Sequence, residues 1–100
     1  MGFSQSINPQ VANLAILSSS DFASNKVTFA GTAVSCIISN TGLNPVECQL
    51  NGDSSTNFSI AANESICFSS GDVHLSSVAF SSSYSGAGST TIRLIAGVVA

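Results

Sequence analysis

One stretch of the sequence carries the residue types of a hydrolase. Asp72, His74 and Ser76 alternate along the chain, so an extended strand would place an acid, a base and a nucleophile on one face. Residues two apart in a strand are separated by about 6.6–7 Å, whereas a working triad needs hydrogen bonds of about 2.6–3.2 Å. The nucleophile-elbow pattern G-x-S-x-G is also absent. We therefore interpret the three residues as a turn aspartate, a surface histidine and a surface serine, and we predict that the protein is not an enzyme.

Four carboxylates are candidates for a calcium site. They are Glu47, Asp53, Glu64 and Asp72, and three of them lie at turns. No EF-hand pattern occurs, and an isolated carboxylate in a turn usually caps a backbone amide. We therefore expect neither a metal ion nor another cofactor.

The three cysteines, Cys36, Cys48 and Cys67, cannot form two disulfides, and none of their spacings matches a zinc site. A hairpin between the two apolar runs that flank the first Asn/Gly/Pro-rich turn would pair Ile38 with Val46 and Cys36 with Cys48 on the core side. A disulfide between such directly opposite residues is usually strained. We therefore expect buried, reduced thiols at Cys36 and Cys48.

Charged residues make up only 7% of this 100-residue chain, compared with a usual share of about a quarter. The only basic residues are Lys26 and Arg93, which is too little positive charge for a nucleic-acid or anionic-membrane partner. Serine, threonine and asparagine supply the polar surface instead, and these residues favour strands and turns over helix interiors. The composition predicts an all-β protein whose weakly charged surface favours contact with neighbouring copies.

Turn signals separate the apolar alternation into six or seven short strands. The clearest signals are Asn40–Pro45, Asn51–Asp53 and Ser70–Asp72. A change of parity between Ser76 and Ser77 indicates a β-bulge or a crossing between sheets. We predict a single small β-sandwich or jelly-roll-like domain over residues 26–100, with about 6–8 antiparallel strands.

The two ends of the chain are assigned differently. Residues 1–25 are expected to form an N-terminal arm or a first strand, with an ordered Val11–Leu17 segment whose type stays open. Asn8 and Pro9 would suit a helix start there. The last run, Ser89 to Val99, is apolar on both faces near its end. Such a strand is either central or covered on its outer face by another chain.

The stretch from Val34 to Ala96 resembles the small β-sandwich virion proteins of tailed bacteriophages, in particular capsid decoration (cement) proteins. The segments that carry the resemblance are Ile37–Gly42, Pro45-Val46, Phe58–Ile60, Glu64–Ile66, Gly71–Val73 and Thr91–Ile95. The resemblance implies a structural protein without catalysis, located in the virion, that assembles as a homo-oligomer, often a trimer, on the major capsid protein. It transfers no individual functional residue.

Assembly requires an interface, and the sequence suggests which residues form it. We predict that neighbours cover Val11, Leu14, Leu17, Tyr84, Val98 and Val99. The alternative function is a glycan- or receptor-binding module of a phage tail or fibre, in which Tyr84 would stack on a sugar ring. Because the chain has one tyrosine and no tryptophan, we favour the structural function.

Overall fold

The computed structural model describes residues 7–17, 20–82 and 89–99, and all regular secondary structure in these ranges is β-strand. All of the strand pairs are antiparallel. The predicted all-β fold with about 6–8 antiparallel strands is therefore confirmed. The seven strands are β1 (Ile7–Leu17), β2 (Lys26–Asn40), β3 (Val46–Leu50), β4 (Asp53–Ile60), β5 (Ser65–Phe68), β6 (Leu75–Ser81) and β7 (Ser89–Val99).

The long strand β2 belongs to two parts of the sheet. Its first residues, Lys26–Thr28, pair with β6, whereas residues from Thr32 to Asn40 pair with β7 and β5. We call the part with the order β1-β7-β2-β5 the front half-sheet, and the part with the order β2-β6-β3-β4 the back half-sheet. The register of β2 shifts between Thr28 and Ala33 and again between Ala33 and Ser35. These irregularities let one strand pass between the two half-sheets.

A single hydrophobic core receives the inner side chains of both half-sheets. Ile92 and Leu94 of β7 and Ile38 of β2 enter it from the front, while Val78 and Phe80 of β6 enter it from the back, and all five are fully buried. The alternation of inner and outer side chains predicted for these strands is the physical basis of this packing.

The N-terminal segment is a strand from Ile7 to Leu17, followed by a turn before β2. Every residue of β1 has a partner on β7, from Ile7 opposite Val99 to Leu17 opposite Ser89. The helix start considered at Asn8 and Pro9 is therefore wrong. The buried Ile16 ties the segment to the core, so β1 is the first strand of the sheet and not a detached arm.

The glutamine of β1 reaches across to the bent part of β2. The Gln10 amide donates through Nε2 to the Thr28 carbonyl over 3.2 Å and accepts through Oε1 from the Ala30 amide over 3.1 Å. One side-chain amide thereby satisfies a backbone acceptor and a backbone donor at a place where β2 lacks regular pairing.

The hairpin predicted between β2 and β3 is wrong, since β3 pairs with β4 and β6. The Asn40–Pro45 turn instead carries the chain from the front half-sheet to the back one. Asn40 is 1% exposed, and its amide donates to the carbonyls of Asn44 and Ile60 and accepts from the Gly42 amide and the Thr90 hydroxyl. All four hydrogen-bonding positions of the amide are used in holding this crossing.

One turn adopts the backbone conformation that its residues predict. Asn51 and Gly52, with φ values of 55° and 69°, connect β3 to β4 in a two-residue hairpin that requires positive φ at both positions. The predicted change of parity near Ser76 coincides with the register shift between β2 and β6, since Thr28 pairs with Ser77 but Ala33 pairs with Leu75.

Candidate functional site

The residues that resembled a hydrolase triad are not assembled as one. Asp72 accepts a hydrogen bond from the Ser69 amide over 3.0 Å. Ser76 donates through its amide and its hydroxyl to Oδ1 of Asn51, over 2.7 and 3.1 Å. His74 is exposed, and its carbonyl accepts from the Asn51 amide group. The three side chains therefore serve turns and the surface, and they share no hydrogen bond.

The turn carboxylates are also used locally. Asp53 accepts from the hydroxyl and the amide of Ser55, over 2.8 and 3.0 Å, and the hydroxyl contributes most to lowering the pKa of this carboxyl. Glu64 accepts from the Ala61 amide over 3.0 Å. Within the ranges that the structure describes, no three His, Cys, Asp or Glu side chains are grouped so that they could hold a metal ion.

The cysteines are free thiols in two environments. Cys36 and Cys48 lie in the core, where desolvation raises their pKa values to about 11 and about 12. Cys67 lies on the exposed side of β5. The two core cysteines are not opposite each other in a hairpin, but both are buried and reduced, as expected.

The feature that sets this molecule apart is the outer surface of the front half-sheet, which we call the apolar face. Among the described residues, six large hydrophobic side chains are exposed, and five of them lie on this face by the alternation of their strands. The five are Ile7, Val11, Leu17, Ile37 and Ile95. Ile7, Val11, Ile37 and Ile95 lie close together, whereas the polar row of Asn13, Arg93 and Ser39 separates Leu17 from them. A cluster of exposed apolar side chains of this kind marks a contact site in a soluble protein.

A row of side chains crosses the apolar face at right angles to the strands. Val11 of β1 lies opposite Ile95 of β7, Ile95 lies opposite Ile37 of β2, and Ile37 lies opposite Cys67 of β5. Val11, Ile95 and Ile37 are 52%, 37% and 43% exposed. Since directly paired residues in adjacent strands are neighbours on one face, these side chains form a continuous apolar ridge.

A depression runs beside the ridge because the next row contains Gly97. It has a volume of about 370 Å³, and Pro9, Ser35 and Gly97 line it next to the ridge. A methyl group added at Gly97 would lie 2.6 Å from the Ser35 hydroxyl oxygen and 3.0 Å from a side-chain carbon of Ile7. Because glycine has no side chain, the sheet surface at this row stays below the neighbouring ridge, at a place where a larger residue would collide with its neighbours.

The structure distributes the predicted interface residues over different places. Val11 and Leu17 are exposed on the apolar face, whereas Leu14 points inward and packs against the core. Val98 and Val99 are already buried within the chain, at 6% and 8% exposure. The expectation that neighbours cover these three residues is therefore corrected. The strand alternation turns Leu14 and Val98 inward, whereas Val99 lies in the outer row of Ile7 but is already buried within this chain. Tyr84 lies outside the described residues.

Sequence reasoning missed the two isoleucines at the centre of the ridge. Ile37 lies between the inward Cys36 and Ile38, and Ile95 follows the inward Leu94. Each of the two is a large apolar residue at a position where the strand alternation predicts an outward, polar side chain. That mismatch is the signal that could have identified them from the sequence.

No protein family model and no curated protein matches the chain. Among solved structures, the crystal structure of Fe(II) HppE superimposes with a TM-score of 0.53 at 13% sequence identity, covering 91% of this chain and 43% of that one. PirA covers 96% of both chains with a TM-score of 0.43 and 12% identity. A subunit of the Bacillus endospore appendages, described as disulfide-linked pili, gives a TM-score of 0.40 at 12% identity and covers 96% of this chain and 92% of that one.

At these identities the likeness to HppE shows the fold alone, and the present chain spans less than half of that enzyme's length. The described part of the chain also contains no helix that is long and apolar enough to cross a membrane.

Proposed function

We propose that the protein is a structural, non-enzymatic component that assembles with copies of itself through the apolar face. The observation that carries this proposal is the concentration of exposed large hydrophobic side chains there, centred on the ridge of Val11, Ile95 and Ile37. Burying that ridge against a second copy removes it from water, which favours association.

The size and charge of the face suit contact between identical copies. Strand spacing and length give the face an area of roughly 550 Å² per copy, near the lower limit of about 600 Å² per partner for specific interfaces. Arg93 is the only charged residue whose side chain the strand pattern places on the described face. Two facing copies would therefore bring little like charge together.

The relief of the face permits a self-complementary contact. The ridge and the depression at Gly97 are adjacent rows, separated by two residues along each strand, or about 7 Å. A two-fold rotation can place the ridge of each copy in the depression of the other, and such an isologous contact closes as a dimer. The trimer predicted from the sequence would require a second, different patch on each subunit.

The finer form of the proposal comes from the sequence resemblance. In this form the assembled protein acts as a decoration protein on a bacteriophage capsid, with the major capsid protein as the second partner. Mixing the purified protein with undecorated capsid shells and sedimenting the particles tests this form directly. Protein that remains in the supernatant would contradict the capsid role and leave self-assembly as a separate result.

The test of self-assembly is the mass in solution from micromolar to millimolar concentration. We expect the wild-type protein to exceed the monomer mass of 10.1 kDa and Ile37→Lys to return it to that mass, since a buried lysine without a partner opposes the contact. The matched control is Leu43→Lys, because Leu43 is 86% exposed in the Asn40–Pro45 turn, outside the strands that form the apolar face. A wild-type monomer at every concentration, or equal effects of the two lysines, would refute the proposal.

A further inference from the structure

The back half-sheet has an outer surface of the opposite character. Along β6 the outward side chains are small, and Ala79 lies directly between Lys26 of β2 and Gln49 of β3 in one cross-strand row. Ser77 occupies the next row, opposite Thr28. Long polar side chains on β2 and β3 thus stand on either side of β6, whose outward side chains are short. We call this feature the polar trough.

The polar trough is a defined depression with one aromatic wall. Its volume is about 340 Å³, and Phe22, Lys26 and Gln49 line it around a floor of Ser77 and Ala79. Phe22 is half-buried in the turn that precedes β2. Because the strands that flank β6 are about 9.5 Å apart, the gap above Ala79 is wide enough for a sugar ring.

The floor of the trough contains a hydroxyl that is reached from the depression. Ser77 is only 6% exposed as a residue, it lines the depression, and its hydroxyl makes no hydrogen bond with any described residue. Since no buried side-chain nitrogen or oxygen atom of the described residues lacks a partner, this hydroxyl oxygen is open to solvent through the depression. A polar ligand in the trough would replace water on this hydroxyl.

The walls add donors, acceptors and one positive charge. Gln49 donates through Nε2 to Oδ1 of Asn57 over 3.1 Å, which orients the Gln49 amide and leaves its Oε1 without a partner among the described residues. Lys26 forms no ion pair with a described carboxylate. An ammonium group beside an oriented amide and a hydroxyl can recognise an anionic, hydroxyl-rich ligand.

Other ligand classes fit the trough less well. An added peptide strand needs free backbone groups, but β6 is already paired on both sides, with β2 and with β3. A nucleic acid needs several cations along its backbone, and Lys26 is the only one lining the trough. The half-buried phenyl ring of Phe22 provides an apolar surface for one face of a sugar.

We propose that the polar trough binds a saccharide that bears a carboxylate, with Lys26 on the carboxylate and with Ser77 and Gln49 on hydroxyl groups. Phe22 contacts a face of the ring. The site is on the other side of the core from the apolar face, and it is independent of the self-assembly proposed above.

The test is a titration of the full-length protein with a hexuronic-acid oligosaccharide, followed by amide chemical shifts, with an uncharged hexose oligosaccharide of equal length as the second probe. We expect shifts concentrated at Ser77, Ala79 and Gln49, with weaker binding of the uncharged sugar. Lys26→Met should weaken binding of the acidic sugar by about tenfold, as expected for the loss of one charged hydrogen bond. The matched control is Arg93→Met, since it removes the other cation from the opposite face.

A second variant tests the site by shape. Ala79→Leu fills the depression above a floor residue that is 4% exposed, and it should abolish binding while the spectrum outside the trough stays that of the folded protein. Absence of shifts in the wild-type protein with both sugars at millimolar concentration would overturn the proposal. Equal weakening by Lys26→Met and Arg93→Met, or unchanged binding by Ala79→Leu, would overturn it as well.

Discussion

Replacing Asn40 with alanine should cost this protein a large fraction of its stability. The amide is 1% exposed and forms four hydrogen bonds, donating to the carbonyls of Asn44 and Ile60 over 2.8 and 3.2 Å and accepting from the Gly42 amide and the Thr90 hydroxyl, each over 3.0 Å. A net contribution of about 1 kcal/mol per bond gives a total of about 4 kcal/mol. Thr90 keeps its bond to the Asn44 carbonyl, so we expect a loss of about 3–4 kcal/mol.

That loss is measurable by urea denaturation, because a domain of this size has a free energy of unfolding of about 5–15 kcal/mol. The control is Asn57→Ala, which removes an exposed amide with one side-chain hydrogen bond and should change stability by less than about 0.5 kcal/mol. If Asn40→Ala stays within about 1 kcal/mol of the wild type, the amide does not hold the crossing between the half-sheets.

Three further results follow from the same structure. In the native protein at pH 8, a thiol reagent should modify Cys67 alone, with all three cysteines reacting in denaturant, and mass spectrometry counts the additions. Gly42→Ala should destabilise the fold by about 2–3 kcal/mol in thermal or urea unfolding, since a methyl group there would lie 1.7 Å from the Thr90 hydroxyl oxygen. The pKa of Asp53 is lowered by hydrogen bonds from Ser55, so its stabilising contribution is present above the unfolded value of 3.8 and is lost as the pH falls through the lowered pKa. Asp53→Asn should therefore flatten the acid limb of the stability profile, and an unchanged limb would contradict this assignment.

The local structure could be predicted because it depends on neighbouring residues. The Asn51-Gly52 pair predicts a tight turn, and both residues have positive φ in the hairpin between β3 and β4. The alternation of Ile66 and Phe68 with polar neighbours predicts a strand with one buried side, which β5 is. Each of these signals lies within a few residues of the structure that it specifies.

The strand order could not be predicted in the same way. The turn after Asn40 has the composition of a hairpin turn, yet the strands that it connects do not pair. What sends β3 to the other half-sheet is the pairing of β2 with β5 and β7, which brings together residues far apart in sequence, such as Ile37 and Ile95. The residues of a turn predict that the chain changes direction there. Which strands then pair with each other depends on how all the strands pack around the core.

The same limitation explains the errors at the candidate site. Val98 resembles a surface anchor when the last strand is considered alone, because that strand is apolar on both faces near its end. Leu14 resembles one as long as the type of the N-terminal segment is open. Once β7 lies between β1 and β2, its two faces separate into a buried row that includes Val98 and an exposed row that includes Ile95. Only the pairing register decides which apolar row remains available to a partner.

The two proposed surfaces are compatible because they lie on opposite sides of one core. A face-to-face contact through the apolar face leaves both polar troughs pointing away from the interface and open to solvent. Two sites on one assembly would bind a multivalent saccharide with an avidity that exceeds the affinity of a single site. Ile37→Lys should then weaken binding to an immobilised polysaccharide and leave the titration with a short oligosaccharide unchanged. Equal weakening with both ligands would show that the substitution disturbs the trough itself, and that the two faces are not independent.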